Sequence, residues 1–302
     1  MSVVCHHYSD ALRLDHMRVG ILVSNEQFEE FSGASRLEEA VRALGHEAVR
    51  VYERSISIPP RDELKRFDVI IVRPNFTEEP SHHQAIYDGL RASGIRLVNG
   101  QVLRTKNKLL QRLDLLDVGI PMPKGAIVQD TWTATSCARE LGFPVMIKVP
   151  FGTRGKGVFF APSEEVMKPI TDYLSVRDQN PFIVEEFIAE ANHSDIRAFV
   201  IGNEVIASMQ LDAPAGDVRS NAGGTGQSVE LTAEERELAI KATRVMNLDI
   251  AGVDILRSNC GPLIMEVNAN PGFKTLEQTT GIDVAKAIVE YAVRHFESSN
   301  KI

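Results

Sequence analysis

Apolar and polar positions follow two periods along this chain. RVGILV (18–23) is a short continuous apolar run that predicts a buried strand, and ASRLEEAVRALG after it sets Leu37, Val41 and Leu44 on one helical face with Gly45 as the stop. EAVRVYE (47–53) and FDVIIVRP (67–74) predict two more strands, so residues 18–100 form a parallel β-α-β lobe. The spacing then predicts a helix over 104–118, carrying Leu109, Leu110, Leu113 and Leu116 and stopped by GIPMP. Strands at 125–128, 144–149, 157–161 and 182–187, with helices at about 133–141 and 163–175, make residues 101–187 a second, α+β lobe. A third lobe, 188–302, has strands at 195–201 and 204–211, a glycine-rich loop, a helix at 232–246, strands at 250–257 and 262–268, and a last helix at 281–296. The expected fold class is α/β, built from α+β lobes, with residues 1–17 as a mobile N-terminal extension and no internal repeat.

Composition narrows the function. The chain has 302 residues, 43% of them hydrophobic, enough for a core divided among lobes, and a net charge of −8 that argues against nucleic acid or an anionic membrane as partner. Cys5, Cys137 and Cys260 are far apart, and no run of about 18 apolar residues or apolar leader stands at the start, so a cytoplasmic protein is expected. Cys5, His6 and His7 lack a second ligand pair and make a weak metal candidate. The first strand runs into SNEQFEE rather than G-x-G-x-x-G, which disfavours a dinucleotide site. His82 and His83 read as surface residues.

The candidate chemistry lies in three stretches. In GPLIMEVNANPG (261–272), Glu266 and Asn268 share a strand face about 7 Å apart, and in AGVDILR Asp254 interrupts an apolar run. Such oxygen donors suit magnesium, which fills its other positions with water and phosphate; the competing reading is that both acids pair with arginines. In PVMIKVPFGTRGKGVFF, Lys148 stands among apolar neighbours, where an anion is the expected partner, and Gly152-Thr153-Arg154-Gly155-Lys156-Gly157 could cover a triphosphate or be a plain solvated turn. In PFIVEEFIAEANHSDIRAFV, Glu185 and Glu186 end a strand where the chain changes lobe, a hinge suited to an adenine edge, and Asp195 and Arg197 share a face.

Taken in order, these pieces resemble the ATP-grasp superfamily. From about residue 98 to 296 the chain is similar to the RimK-type carboxylate–amine ligases, the ribosomal-protein glutamate ligase branch, above all in SDIRAFVIGNEVIAS, RSN, and LTAEERELAIKATRVMNLDIAGVDILRSNCGPLIMEVNANPG. The resemblance implies an ATP-grasp fold whose lobes enclose ATP. It implies Lys108 and Lys148 on the phosphates under the 152–157 lid, Glu185, Glu186 and Phe187 around adenine, and Asp195 on the ribose beside Arg197. Arg219 and Asn221 are implied near phosphate and acceptor, Lys148, Arg219 and Asn221 in catalysis, and Asp254, Glu266 and Asn268 on two magnesium ions, with manganese an alternative. A carboxylate would attack the γ-phosphate and an amine would displace phosphate from the acyl phosphate. The implied partners are ATP, an amino-acid amine donor, glutamate among the candidates, and a carboxylate acceptor that is a peptide or protein C-terminus or a small molecule; a homo-oligomer is also expected. One departure stands out. RSNAGGTG replaces the branch's RSN-Leu-His-Arg-Gly-Gly, removing a histidine and an arginine near the acceptor, while Arg154 and Lys156 make the lid more basic.

Overall fold

The computed structural model describes residues 16–24, 33–73, 81–152, 155–218 and 225–299. Expectations placed on Cys5, His6, His7, Thr153, Arg154, Arg219 and Asn221, and on residues 1–15 of the extension, lie outside the described residues.

Three sheets follow one another along the chain. The first joins β1 (Arg18–Val23), β2 (Glu47–Tyr52), β3 (Val69–Arg73) and β4 (Leu97–Val98) in the order β2-β1-β3-β4, all parallel. Helix α1 (Ala34–Ala43) buries Leu37 and Val41, the stripe that the helical period marks. The pattern gave no sign of α2 (Ser81–Ala92), because its buried face includes the polar Gln84 beside Tyr87 and Leu90. His82 is exposed as expected, but His83 is half-buried, its Nδ1 on the carboxylate of buried Glu53, which also accepts a 2.6 Å bond from the Tyr87 hydroxyl.

The helix expected over 104–118 is two helices, α3 (Leu103–Lys106) and α4 (Lys108–Asp117). Asn107 breaks it with extended backbone, and its side-chain oxygen caps α4 by accepting from the N–H groups of Leu109 and Leu110. The second sheet is antiparallel, with β5 (Gly125–Val128), β6 (Val145–Lys148), β7 (Val158–Ala161) and β8 (Phe182–Glu186) in the order β5-β8-β6-β7. Helices α5 (Thr131–Leu141) and α6 (Glu164–Tyr173) close a core of its own around Ala134, Val145, Met167, Phe182 and Val184.

The third sheet, also antiparallel, orders β9 (Ser194–Ile201), β10 (Glu204–Asp212), β11 (Thr225–Ser228), β12 (Ile250–Ser258) and β13 (Gly261–Asn268) as β11-β10-β9-β12-β13. Helix α7 (Ala233–Val245), started by a Thr232–Glu235 capping box, covers one face together with Leu115 of α4. The last helix, expected over 281–296, is α9 (Val284–Ser299); α8 (Lys274–Thr280), which the pattern did not mark, precedes it and ends at Gly281, whose φ is 72°. Val284, Ile288, Ala292 and their neighbours on α9 pack between Phe199 and Met209 of the third sheet and Val19, Leu37 and Val41 of the first lobe. The first and third sheets thus share a core that the second does not join. No helix among the described residues is long and apolar enough to cross a membrane.

Candidate functional site

The site begins as a row of charges across the third sheet. Register sets Arg197 of β9 opposite Asp254 of β12, and Asp254 opposite Glu266 of β13. Asp254 is fully buried. Arg197 engages both its oxygens, Nη2 lying 2.8 Å from Oδ2, and Asn268 Nδ2 donates to Oδ2 at 3.3 Å. Glu266, half-open, meets the Lys108 ammonium at 3.2 Å. The competing sequence reading therefore holds for Asp254, which does pair with an arginine, whereas Glu266 pairs with a lysine. Burial alone would raise the Glu266 pKa, but the ammonium groups of Lys108, Lys148 and Lys106 outweigh it and hold the acid below its usual range. Arg197 shows the converse: burial opposes its charge, yet Asp254 and then Asp195 raise its pKa.

The second sheet faces this row with Lys148, the last residue of β6. Its ammonium pairs with Glu185 of β8, and Glu185 lies 3.2 Å from Arg112 of α4. Arg112, 3% exposed, also donates to the carbonyls of Pro123 at 2.8 Å and Gly125 at 3.3 Å. Sequence reasoning missed Arg112 and Lys106. For Arg112 a signal existed: it falls four residues after Lys108, on the same helical face. Lys106 is pushed down to about 8, first by burial and then by Lys108 and Arg73, against the pull of Glu266. Between β6 and β7 the lid turn is tight: a Cβ on Gly152 would sit 2.2 Å from the Lys156 carbonyl, and Gly157 has a φ of 77° with Val149 against it. Gly155 shares that left-handed backbone, and Lys156 is exposed.

At the end of β8, Glu186 and Lys124 hold each other. Glu186 N–H donates to the Lys124 carbonyl at 2.8 Å, and the Glu186 carboxylate accepts from Lys124 N–H at 2.7 Å. Phe187 lies against Phe160 and His193, with ring centroids 5.0 and 5.7 Å away. The structure therefore brings Glu186 and Phe187 together at the strand end, while the Glu185 side chain turns inward to Lys148. Asp195, expected at the ribose, is 2% exposed and its charge acts on Arg197, so its placement supports the guanidinium rather than an open sugar site.

Oxygen donors, a hard-cation chemistry, thus stand at Glu266 and Asn268 with Asp254 behind them. A carboxylate has about four lone-pair directions, and those of Asp254 are taken up by Arg197 and, at 3.3 Å, by Asn268. Among the described residues no three His, Cys, Asp or Glu side chains converge.

Comparison with known proteins supplies the family. The RimK-like ATP-grasp domain model matches residues 105–292. The chain is 39% identical over 290 residues to a probable alpha-L-glutamate ligase of Shewanella baltica, covering 91% of this chain and 95% of that one. Its fold is similar to a RimK domain ATP-grasp protein of Sphaerobacter thermophilus, with a TM-score of 0.70, 21% identity, and 91% and 99% of the two chains covered. It is also similar to the D-alanine–D-alanine ligase of Bacillus anthracis, with a TM-score of 0.71, 14% identity, and 94% and 99% covered. With the basic groups of α4 and β6 facing the acids of β12 and β13, and with these matches running through both sheets, the chain belongs to the RimK-like ATP-grasp family and is an ATP-grasp carboxylate–amine ligase.

Proposed function

We propose that this ligase activates a carboxylate as an acyl phosphate and joins it to the amine of an amino acid. The observation that carries the reading is the Lys108 ammonium 3.2 Å from the half-open Glu266 carboxylate, across from Lys148 on its own acid, with Lys106 adding to the positive field on Glu266, a basic site suited to a triphosphate. A carboxylate oxygen attacks the γ-phosphorus and ADP leaves; the amine nitrogen then attacks the acyl carbon, phosphate leaves with the bonding pair, and the amine loses a proton. Lys108 and Lys148 hold the phosphates, and the 152–157 turn, with Arg154 and Lys156, covers them and keeps water from the acyl phosphate. Glu266, Asn268 and Asp254 are the residues that would hold magnesium, with manganese an alternative, and the metal would neutralise phosphate charge. Arg219 and Asn221 are assigned to the phosphate and acceptor side, and Glu186 and Phe187 to the adenine.

The name of the Shewanella relative supports glutamate as the amine donor. For the acceptor, one observation favours a neutral or small carboxylate over an acidic protein tail. A cavity of about 610 Å³ leads up to Val218, where the RSNAGGTG loop begins, and among its described lining are Asp212, Asp217, Gln210, Ser194 and His193 but no lysine or arginine. An acidic tail there would meet like charge. Phosphate release should require ATP, a divalent cation, an amine and a carboxylate together, with hydroxylamine trapping the acyl phosphate. Peptides ending in neutral residues should outcompete acidic tails at equal concentration. Phosphate release that needs no acceptor would reject the ligase chemistry, and a preference for acidic tails would reject only the acceptor assignment.

A further inference from the structure

Strand β13 is the outermost in its sheet, so its outer edge has no neighbouring strand to take its backbone groups. The Pro121 carbonyl takes the Ile264 N–H at 2.8 Å, and from Val267 through the turn after the strand, side chains from earlier in the chain take the backbone groups of every second residue. Val267 donates its N–H to Gln111 Oε1 at 2.8 Å and accepts from Gln111 Nε2 at 2.9 Å. The Ala269 carbonyl accepts from Asn99 Nδ2 at 2.8 Å. The Pro271 carbonyl accepts from Arg73 Nη2 at 2.8 Å, with the guanidinium also 5.3 Å from the Phe273 ring centroid. Residues 267, 269 and 271 are therefore clamped through their backbone, while 266 and 268, on either side of the first clamp, meet Lys108 and Asp254 with their side chains.

These three clamps are buried and anchored elsewhere. Gln111, Asn99 and Arg73 are 2%, 2% and 1% exposed. Gln111 also donates to the Thr105 carbonyl at 3.0 Å, tying α3, and it shares α4 with Lys108, the partner of Glu266. Asn99 accepts from the N–H groups of Asp249 and Ile250 at 2.9 and 2.8 Å, fixing the start of β12 to the same point.

We propose that Gln111, with Asn99 and Arg73 continuing the row, is a positioning residue that aims Glu266 and Asn268 at the metal by fixing the peptide groups between them. The proposal rests on the reading that these residues hold a divalent cation. The N–H and C=O of Val267 belong to successive peptide planes, 266–267 and 267–268; without Gln111 both planes can rotate, and Glu266 and Asn268, one at the far end of each, lose their fixed direction. A mere seal on a sheet edge would cost stability without touching metal affinity, and that separates the two roles.

The test measures Mn2+ binding to the protein carrying a non-hydrolysable ATP analogue, by electron paramagnetic resonance. Gln111→Met keeps the length and loses all three bonds; it should weaken Mn2+ about tenfold, with metal-free nucleotide affinity unchanged. Leu115→Ala, a cavity on the same helix, should lower the melting temperature without moving Mn2+ affinity. Should Gln111→Met not fold, Gln111→Asn, one methylene shorter with the same groups, should show the same loss. Wild-type Mn2+ affinity in the folded Gln111 variant, or an equal loss in Leu115→Ala, would overturn the proposal. Glu266→Gln is the control on the underlying reading: if it binds Mn2+ as the wild type does, the metal assignment itself fails and the positioning role falls with it.

Discussion

Lys148–Glu185 in the second sheet and Arg197–Asp254 in the third are both buried acid–base pairs facing the same site, yet they serve it from opposite ends. In the first the cation is the group assigned to ATP and the acid stays behind; in the second the acid is assigned to the metal and the cation stays behind. Separating a buried pair is costly because it strands a charge. Each pair has a third member that answers this. When Lys148 turns to a phosphate, Glu185 keeps Arg112 at 3.2 Å, and when a cation takes Asp254, Arg197 keeps the field of Asp195. A ligand-free site can therefore stay neutralised from within and still release one partner on each side. On that assignment Arg112 and Asp195 would be the groups that leave Lys148 and Asp254 free to meet ligands.

The sharpest break of that comparison is on the acid side. Glu266→Gln and Asp254→Asn should each lower turnover on the order of 10²–10³-fold, as expected when a group that stabilises developing charge is lost. They should differ in stability. Asp254→Asn leaves Arg197 buried beside an uncharged amide, which should cost about 3 kcal/mol in denaturant unfolding. Glu266→Gln only releases a partly exposed lysine and should cost less than about 1 kcal/mol. Equal melting curves for the two variants would mean that Arg197 does not depend on Asp254.

On the cation side the effects should separate between two residues. Lys148→Met should lower turnover about 100-fold while leaving stability near wild type, because Glu185 still has Arg112. Arg112→Met should do the reverse: Glu185 still has Lys148, but the carbonyls of Pro123 and Gly125 lose the buried guanidinium that donates to them and the buried site loses a charge. It should cost roughly 3 kcal/mol with kcat changed only a few-fold. If Arg112→Met proves as inactive as Lys148→Met, the division between working and retaining partner is wrong.

How far this was legible in the sequence follows from the kind of signal each residue leaves. Asp254 and Lys148 stand out because each interrupts an apolar run, and Glu266 and Asn268 because they alternate with one. Strand alternation and helical spacing likewise locate most elements. The break at Asn107 did not show, because the spaced leucines all lie beyond it, in α4, and only the cap oxygen distinguishes the join. Gln84, Gln111 and Asn99 left no trace as buried clamps, since an amide near a helix or at a strand end reads as surface until its partners, up to 170 residues away, are known. Which acid pairs with which base is a matter of register between strands, and register is invisible in one chain's pattern.

The smallest expected effect comes from a third acid–base set of the same chemistry, placed in water. On the second lobe Glu164 meets Arg139 at 2.7 Å and Lys168 at 2.7 Å, and these partners pull its pKa down from 4.5 to about 2. A carboxylate with a depressed folded-state pKa adds stability that is fully present above its unfolded value and fades as pH falls through the folded one. Glu164→Gln should therefore lower the melting temperature at pH 6–7, by about 1 °C for a solvent-exposed pair. The gap between variant and wild type should close between pH 4.5 and about 2. It should also shrink in ~1 M salt, where screening acts over about 3 Å, whereas the penalty of Asp254→Asn should persist there because solvent ions do not reach Arg197. A Glu164 effect that resists salt, or an Asp254 effect that salt removes, would show that burial is not what distinguishes the site's pairs from the surface one.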